Sequence, residues 1–206
     1  IQTTPLQLCL MTAQLANGGF KIKPKIVTEK NQMNVNQIKF EMKQNLIKNE
    51  YDKNQNLLDR TQEIFKNRND YLMPLFQDKK NIDIVLDSMY GATNEIMGTS
   101  YSSRIEDEFY QFAGKTGTAQ VKRITEKARE LDLETSQIPY EDRDHALYIA
   151  FGPYKNPRYA VSIIIEHGGS GSKAAAPIAK KLFKLIIDRH EMREKERNKI
   201  NLETNV

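Results

Sequence analysis

Thr4-Pro5, followed by apolar positions at Leu8 and Leu15, predicts a helix. Threonine caps the free N–H groups, proline fits the first helical position, and Asn17-Gly18-Gly19 stops the run. Phe20, Ile22 and Ile26 predict a short strand at an edge or beside a bulge, because Pro24 interrupts it. Ile82, Val85, Leu86 and Met89 recur at helical spacing as far as Gly91. Residues 146–151 and 159–166 are β-branched or aromatic and predict two strands, joined by a hairpin turn at Pro153-Tyr154-Lys155-Asn156-Pro157. His167-Gly168-Gly169-Ser170-Gly171-Ser172 reads as a flexible link. Residues 174–188 read as a helix with Ile178, Leu182 and Leu185 on one face, and 189–206 as a charged tail that frays.

Two stretches break the pattern. Residues 28–80 are rich in Asn, Gln and Lys and read as a polar helical insertion, with Ile38, Met42 and Leu46 as its packing face. Residues 122–144 are a polar excursion of both charge signs, and no internal repeat is present.

Composition narrows the function. The 206 residues carry 31 Lys+Arg against 27 Asp+Glu, a net +4 without a basic arm or aromatic-basic interleaving, which argues against nucleic-acid binding. The single cysteine, Cys9, excludes an intrachain disulfide, and among Leu8, Leu10 and Met11 it reads as a small hydrophobe. No apolar run reaches membrane-span length and no signal segment is visible. With Ile1 first, the chain reads as a piece whose targeting information lay upstream.

The chemistry concentrates in residues 112–121, FAGKTGTAQV, which contain both Gly-Lys-Thr and Lys-Thr-Gly. A phosphate-binding loop requires glycine five positions before Gly114, where Phe109 stands, and the acidic Glu106, Asp107 and Glu108 nearby repel phosphate. Those three acids read as a solvated turn. Lys-Thr-Gly on a strand suits a different task. Small side chains let an extended ligand pair with the strand edge, lysine adds positive charge, and threonine hydroxyls bond a carboxylate.

Several short motifs stand in a fixed order: Thr4-Pro5-Leu6-Gln7-Leu8, Leu15-Ala16-Asn17-Gly18-Gly19, Ala113-Gly114-Lys115-Thr116-Gly117-Thr118-Ala119-Gln120, Arg143-Asp144-His145-Ala146, Phe151-Gly152-Pro153-Tyr154, Glu166-His167-Gly168-Gly169 and Ala174-Ala175-Ala176-Pro177-Ile178. In that order they resemble the later part of the transpeptidase domain of class B penicillin-binding proteins, closest to the elongation type, penicillin-binding protein 2. Leu147 departs from the aromatic that often follows His-Ala in the family. The resemblance implies an α+β fold, an antiparallel sheet flanked by helices as in β-lactamases and transpeptidases, here incomplete, with 1–206 the C-terminal part of one such domain. It also implies acyl transfer on the D-Ala-D-Ala stem peptide of peptidoglycan, with β-lactams trapped at the same serine and no cofactor. Lys115, Thr116, Gly117 and Thr118 map onto the substrate-binding strand, and the Thr118 N–H onto half of the oxyanion hole.

The nucleophile motif Ser-x-x-Lys has one match, Ser170-Gly171-Ser172-Lys173, placed after the last strand rather than upstream of Lys-Thr-Gly, and so read as a coincidence. Ser-x-Asn has no match, and Tyr154-Lys155-Asn156 mimics its tyrosine variant only within a turn. The catalytic serine and its lysine are therefore expected upstream of Ile1, leaving no catalytic residue in this chain. His145 and His167, without clustered acids, do not argue for a metal. Further expectations are a membrane-anchored parent with this domain in the periplasm, cell-wall elongation proteins as partners, and self-association through the open edge of 159–166. The rival reading is a non-catalytic protein-binding module with a transpeptidase-like fold.

Overall fold

The computed structural model describes residues 2–26, 40–46, 73–121 and 135–204, except the side chains of 197 and 200–204. The chain divides into two compact units, one of Ile1–Ala13 with Leu86–Val206 and one of Gln14–Val85.

Helix α1 spans Pro5–Ala16. Its start is a capping box: Thr4 Oγ1 accepts from Gln7 N at 3.2 Å while Gln7 Oε1 accepts from Thr4 N at 2.8 Å. Two left-handed glycines, Gly18 (φ 92°) and Gly19 (φ 87°), end it. The strand expected at Phe20–Ile26 is absent from the structure: Phe20 makes an isolated bridge to Pro74, and Pro24 has no N–H to extend the pairing. A further stretch, 40–46, is helical with Met42 and Leu46 half-buried; the rest of the expected insertion, Ile38 included, lies largely outside the described residues.

Helix α2, Lys79–Asn94, continues past Gly91, where the sequence suggested an end. A turn over 95–100 stops it instead, with Ser100 N donating to Ala92 O at 2.9 Å. Strands β1 (Ala113–Ala119), β2 (His145–Gly152) and β3 (Tyr159–Ile165) form an antiparallel sheet in that order, with Gly114 opposite Ala150, Thr116 opposite Tyr148, and Tyr148 opposite Ile163. The β2–β3 hairpin turns at Pro153–Pro157 as its composition predicts. Of the polar excursion, 122–134 lies outside the described residues, and 135–142 holds two 3₁₀ turns.

The expected flexible link is ordered: His167 (φ 55°) and Gly169 (φ 73°) turn the chain, Gly169 N donates to Asp144 O at 2.8 Å, and a π turn, Gly171–Ala175, leads into α3, Ala176–Thr204. Helix α3 does not fray at 189. Its buried stripe is Ala176, Ala179, Phe183 and Ile187, whereas Ile178 and Leu185 face outward. The large aliphatics marked the wrong face because alanines permit the close approach to the sheet. Ala146, Tyr148 and Ala150 of β2 complete this core, with Val161, Ile163 and Ile165 of β3 packed at its margin. Phe183 stacks on Phe112 at 4.9 Å. Among the described residues no helix is long and apolar enough to cross a membrane.

Candidate active site

β1 is an edge strand among the described residues, buried at Ala113 and Gly114 and exposed at Lys115, Thr118 and Ala119. Antiparallel pairing sends peptide groups alternately to the neighbour and away from it. Two side chains reveal which groups point away. Gly114 N donates to Thr93 Oγ1 at 3.0 Å, and Asn94 Nδ2 donates to Phe112 O at 2.9 Å. By alternation, the N–H and C=O groups of Thr116 and Thr118 face that same free edge.

The sequence-assigned residues lie together on this strand. Lys115 Nζ folds onto its neighbour, donating to Thr116 O at 2.9 Å and approaching Thr116 Oγ1 at 3.3 Å. Thr99 Oγ1 lies 3.3 Å from the same hydroxyl. The crossing turn constrains Gly171 instead: a Cβ there would come within 2.8 Å of Gly117 O and 2.4 Å of Leu147 O, so the π turn crosses β1 and β2 at backbone contact. Thr118 lines a cavity of about 180 Å³ with Arg143, Asp144 and Ser170.

Beneath β1 lies a cluster that periodicity alone did not reveal. Tyr148 Oη sits 2.9 Å from Thr93 Oγ1 and 3.0 Å from Ser100 Oγ, and Ser100 Oγ donates to Ala92 O at 2.9 Å. Thr93, Ser100 and Tyr148 are fully buried, and burial pushes the Tyr148 phenol up, partly offset by its two hydroxyl partners. Gly114 makes room for the ring, since a Cβ there would meet Tyr148 Oη at 2.5 Å. One sequence signal was available: Thr93 follows Met89 by four residues, putting a hydroxyl on the buried face of α2 that needs a partner.

The remaining candidates separate from this strand. Ser170 Oγ pairs with Ser172 Oγ at 2.9 Å, while Lys173 is exposed and makes no hydrogen bond to Ser170 among the described residues. Tyr154-Lys155-Asn156 is pinned in the hairpin: Tyr154 Oη donates to Asp87 Oδ1 at 3.0 Å and Lys155 pairs with Glu108 at 2.6 Å. Burial first, and then the Asp87 carboxylate, push the Tyr154 phenol up to about 12. Glu106, Asp107 and Glu108 form an exposed turn. His145 and His167, separate in sequence, meet edge to face at 4.8 Å; His167 N donates to His145 Nδ1 at 3.0 Å, and His167 Nδ1 lies 3.1 Å from Arg143 O. No group of three or more His, Cys, Asp or Glu among the described residues is arranged to hold a metal. Cys9 Sγ donates to Ala160 O at 3.4 Å, and burial pushes its thiol up.

The chain is similar to known proteins in sequence and in fold. The penicillin binding protein transpeptidase domain matches residues 1–184. Peptidoglycan D,D-transpeptidase MrdA of Salmonella typhimurium (strain SL1344) is 39% identical over 105 residues, which are 51% of this chain and 16% of that protein. MrdA of Escherichia coli K12 is 38% identical over 106 residues, 52% of this chain and 15% of that protein. PBP2 of Pseudomonas aeruginosa, solved in complex with WCK 5153, superposes with a TM-score of 0.57 at 29% identity, covering 89% of this chain and 30% of that one. The matched stretch is thus under a fifth of each curated relative's length.

Proposed function

Because the chain belongs to the penicillin-binding protein transpeptidase domain family, which matches residues 1–184, we propose that it supplies the Lys-Thr-Gly wall of a peptidoglycan D,D-transpeptidase site. The supporting observation is β1, an edge strand that presents Lys115, Thr116 and Thr118 together and directs two peptide groups outward. An extended stem peptide pairs with that edge. The Thr116 and Thr118 hydroxyls bond its carboxylate, Lys115 leaves Thr116 O to add positive charge, and the Thr118 N–H stabilises the oxyanion. A serine and its lysine base, from sequence preceding Ile1, carry out the acyl transfer. In this reading the 206 residues bind and orient, and β-lactams enter the same cleft.

A fluorescent penicillin tests this. Protein extended through the preceding reading frame labels covalently and the 206-residue chain does not; labelling of the shorter chain at Ser170 overturns the assignment. A preceding frame without Ser-x-x-Lys favours the non-catalytic binding module instead. The same reading puts the domain in the periplasm of a membrane-anchored parent, beside cell-wall elongation proteins. It also leaves β3, with Val161, Ile163, Ile164 and Ile165, as an apolar edge through which the 206-residue chain self-associates. Light scattering that reports a monomer at every dilution removes that last element.

A further inference from the structure

The last two side chains of α2 do to β1 what a neighbouring strand would do. Asn94 Nδ2 bonds Phe112 O at 2.9 Å, and Thr93 Oγ1 takes the Gly114 N–H at 3.0 Å. These are alternate residues on the free edge, and the next two on that edge are Thr116 and Thr118. Half of the edge is therefore already occupied by protein, and the occupied half ends one residue before Lys115.

Thr93 is held in this role from three directions. Its Oγ1 lies 3.3 Å from Met89 O, 2.9 Å from Tyr148 Oη and 3.4 Å from Ser100 Oγ. Ser100 is fixed in turn by Ala92 O, and Gly98 lets the turn close against α2, since a Cβ there would come within 2.5 Å of Ala92 O. The next residue back, Thr99, reaches over the outside to the Thr116 hydroxyl at 3.3 Å. The turn thus braces Thr93, which holds Gly114, and itself touches β1 at Thr116.

We propose that Thr93 and Asn94 are positioning residues that close the β1 edge at Gly114, so that the site accepts the end of an extended peptide at Thr116–Thr118 and rejects a chain that continues past it. The proposal rests on the reading of β1 as the substrate strand. Among the described residues, an incoming strand has two rungs available, at Thr116 and Thr118. Beyond them it meets donors and acceptors already satisfied, and a ligand residue placed there would have to displace the amide of Asn94 and the hydroxyl of Thr93. The terminal residue of the ligand is thereby set opposite the Lys115–Thr116 hydroxyl and amine groups.

Two measurements test this independently. In the 206-residue chain, amide hydrogen exchange reads the edge directly. Gly114 is expected to be protected and Thr116 and Thr118 open; Thr93→Val removes Gly114 protection by about tenfold, the worth of one hydrogen bond, and Thr93→Ser restores it. Protection of all three amides alike, or no change in Thr93→Val, overturns the proposal. In the extended protein, an N-acylated D-Ala-D-Ala peptide is compared with the same peptide carrying one added glycine at its carboxyl end, each competing against fluorescent-penicillin labelling. Only the shorter peptide should slow labelling of the natural protein, whereas both should slow it in Thr93→Ala/Asn94→Ala. A merely destabilising change, Ile163→Ala, should leave that discrimination intact. Equal competition by both peptides in the natural protein overturns the proposal, and a natural protein that does not label at all sinks the acyl-transfer reading while the exchange measurement still decides whether the edge is closed.

Discussion

β1 and β3 flank the same central strand, yet β1 is exposed at three of its seven positions whereas every residue of β3 is half-buried. β1 carries Lys, Thr and Gly and is fixed by hydrogen bonds from Thr93 and Asn94; β3 carries Val and Ile and is fixed by Val161, Ile163 and Ile165 against the core. Hydrogen bonds are directional and fix position closely, while apolar burial is non-directional and supplies most of the free energy. A strand that must stay accessible cannot bury its side chains, so it takes its position from polar contacts to its backbone. The other edge takes its position from area.

Removing the floor beneath both strands is the most damaging way to break the contrast. Phe183→Ala empties a fully buried site and takes away the stacking partner of Phe112, with an expected loss of about 3–5 kcal/mol in urea unfolding. Ile163→Ala acts on β3 alone and, because that residue is only half-buried, should cost about 2 kcal/mol without altering the exchange of β1 amides. Thr116→Ala should do the reverse, shifting stability by about 0.5 kcal/mol or less while reducing penicillin labelling of the extended protein severalfold.

The smallest effect concerns pH. The Tyr154 phenol titrates near 12 in the folded chain against 10.0 unexposed to these neighbours, so the folded state holds its proton more tightly. That contribution is fully present below pH 10 and is lost as pH rises through 12. The thermal unfolding midpoint should therefore fall across this window, and Tyr154→Phe should flatten part of the slope without affecting β1.

The Lys-Thr-Gly strand, the hairpin and the helix opening at Thr4 were legible because each follows from local chemistry: small residues on an edge, prolines in a turn, a cap. Thr93 and Ser100 were not legible as a pair, because what joins them is the Tyr148 hydroxyl, whose ring passes over Gly114, a contact between residues 34 positions apart in sequence. The meeting of His145 with His167 has the same origin, a hairpin that returns the chain to its start. Helix α3 was misjudged for another reason. Residues 189–204 have no Gly or Pro and are rich in Arg, Glu and Lys, which favour helix even without a core to cover. Arg158 of the hairpin also reaches Glu191 at 3.7 Å and Glu194 at 3.9 Å, although such exposed pairs contribute little.

Gly171 has a further consequence for how such a site can change over generations. Any side chain there must push on the carbonyls of Gly117 and Leu147, so β1 moves although no residue facing the cleft has been altered. On the proposed role of β1, a population selected by an inhibitor lying along that strand would have an escape route at a position the inhibitor never touches. The same push strains the β1–β2 ladder, which makes the route narrow and predicts that survivors carry a second change relieving the Leu147 side.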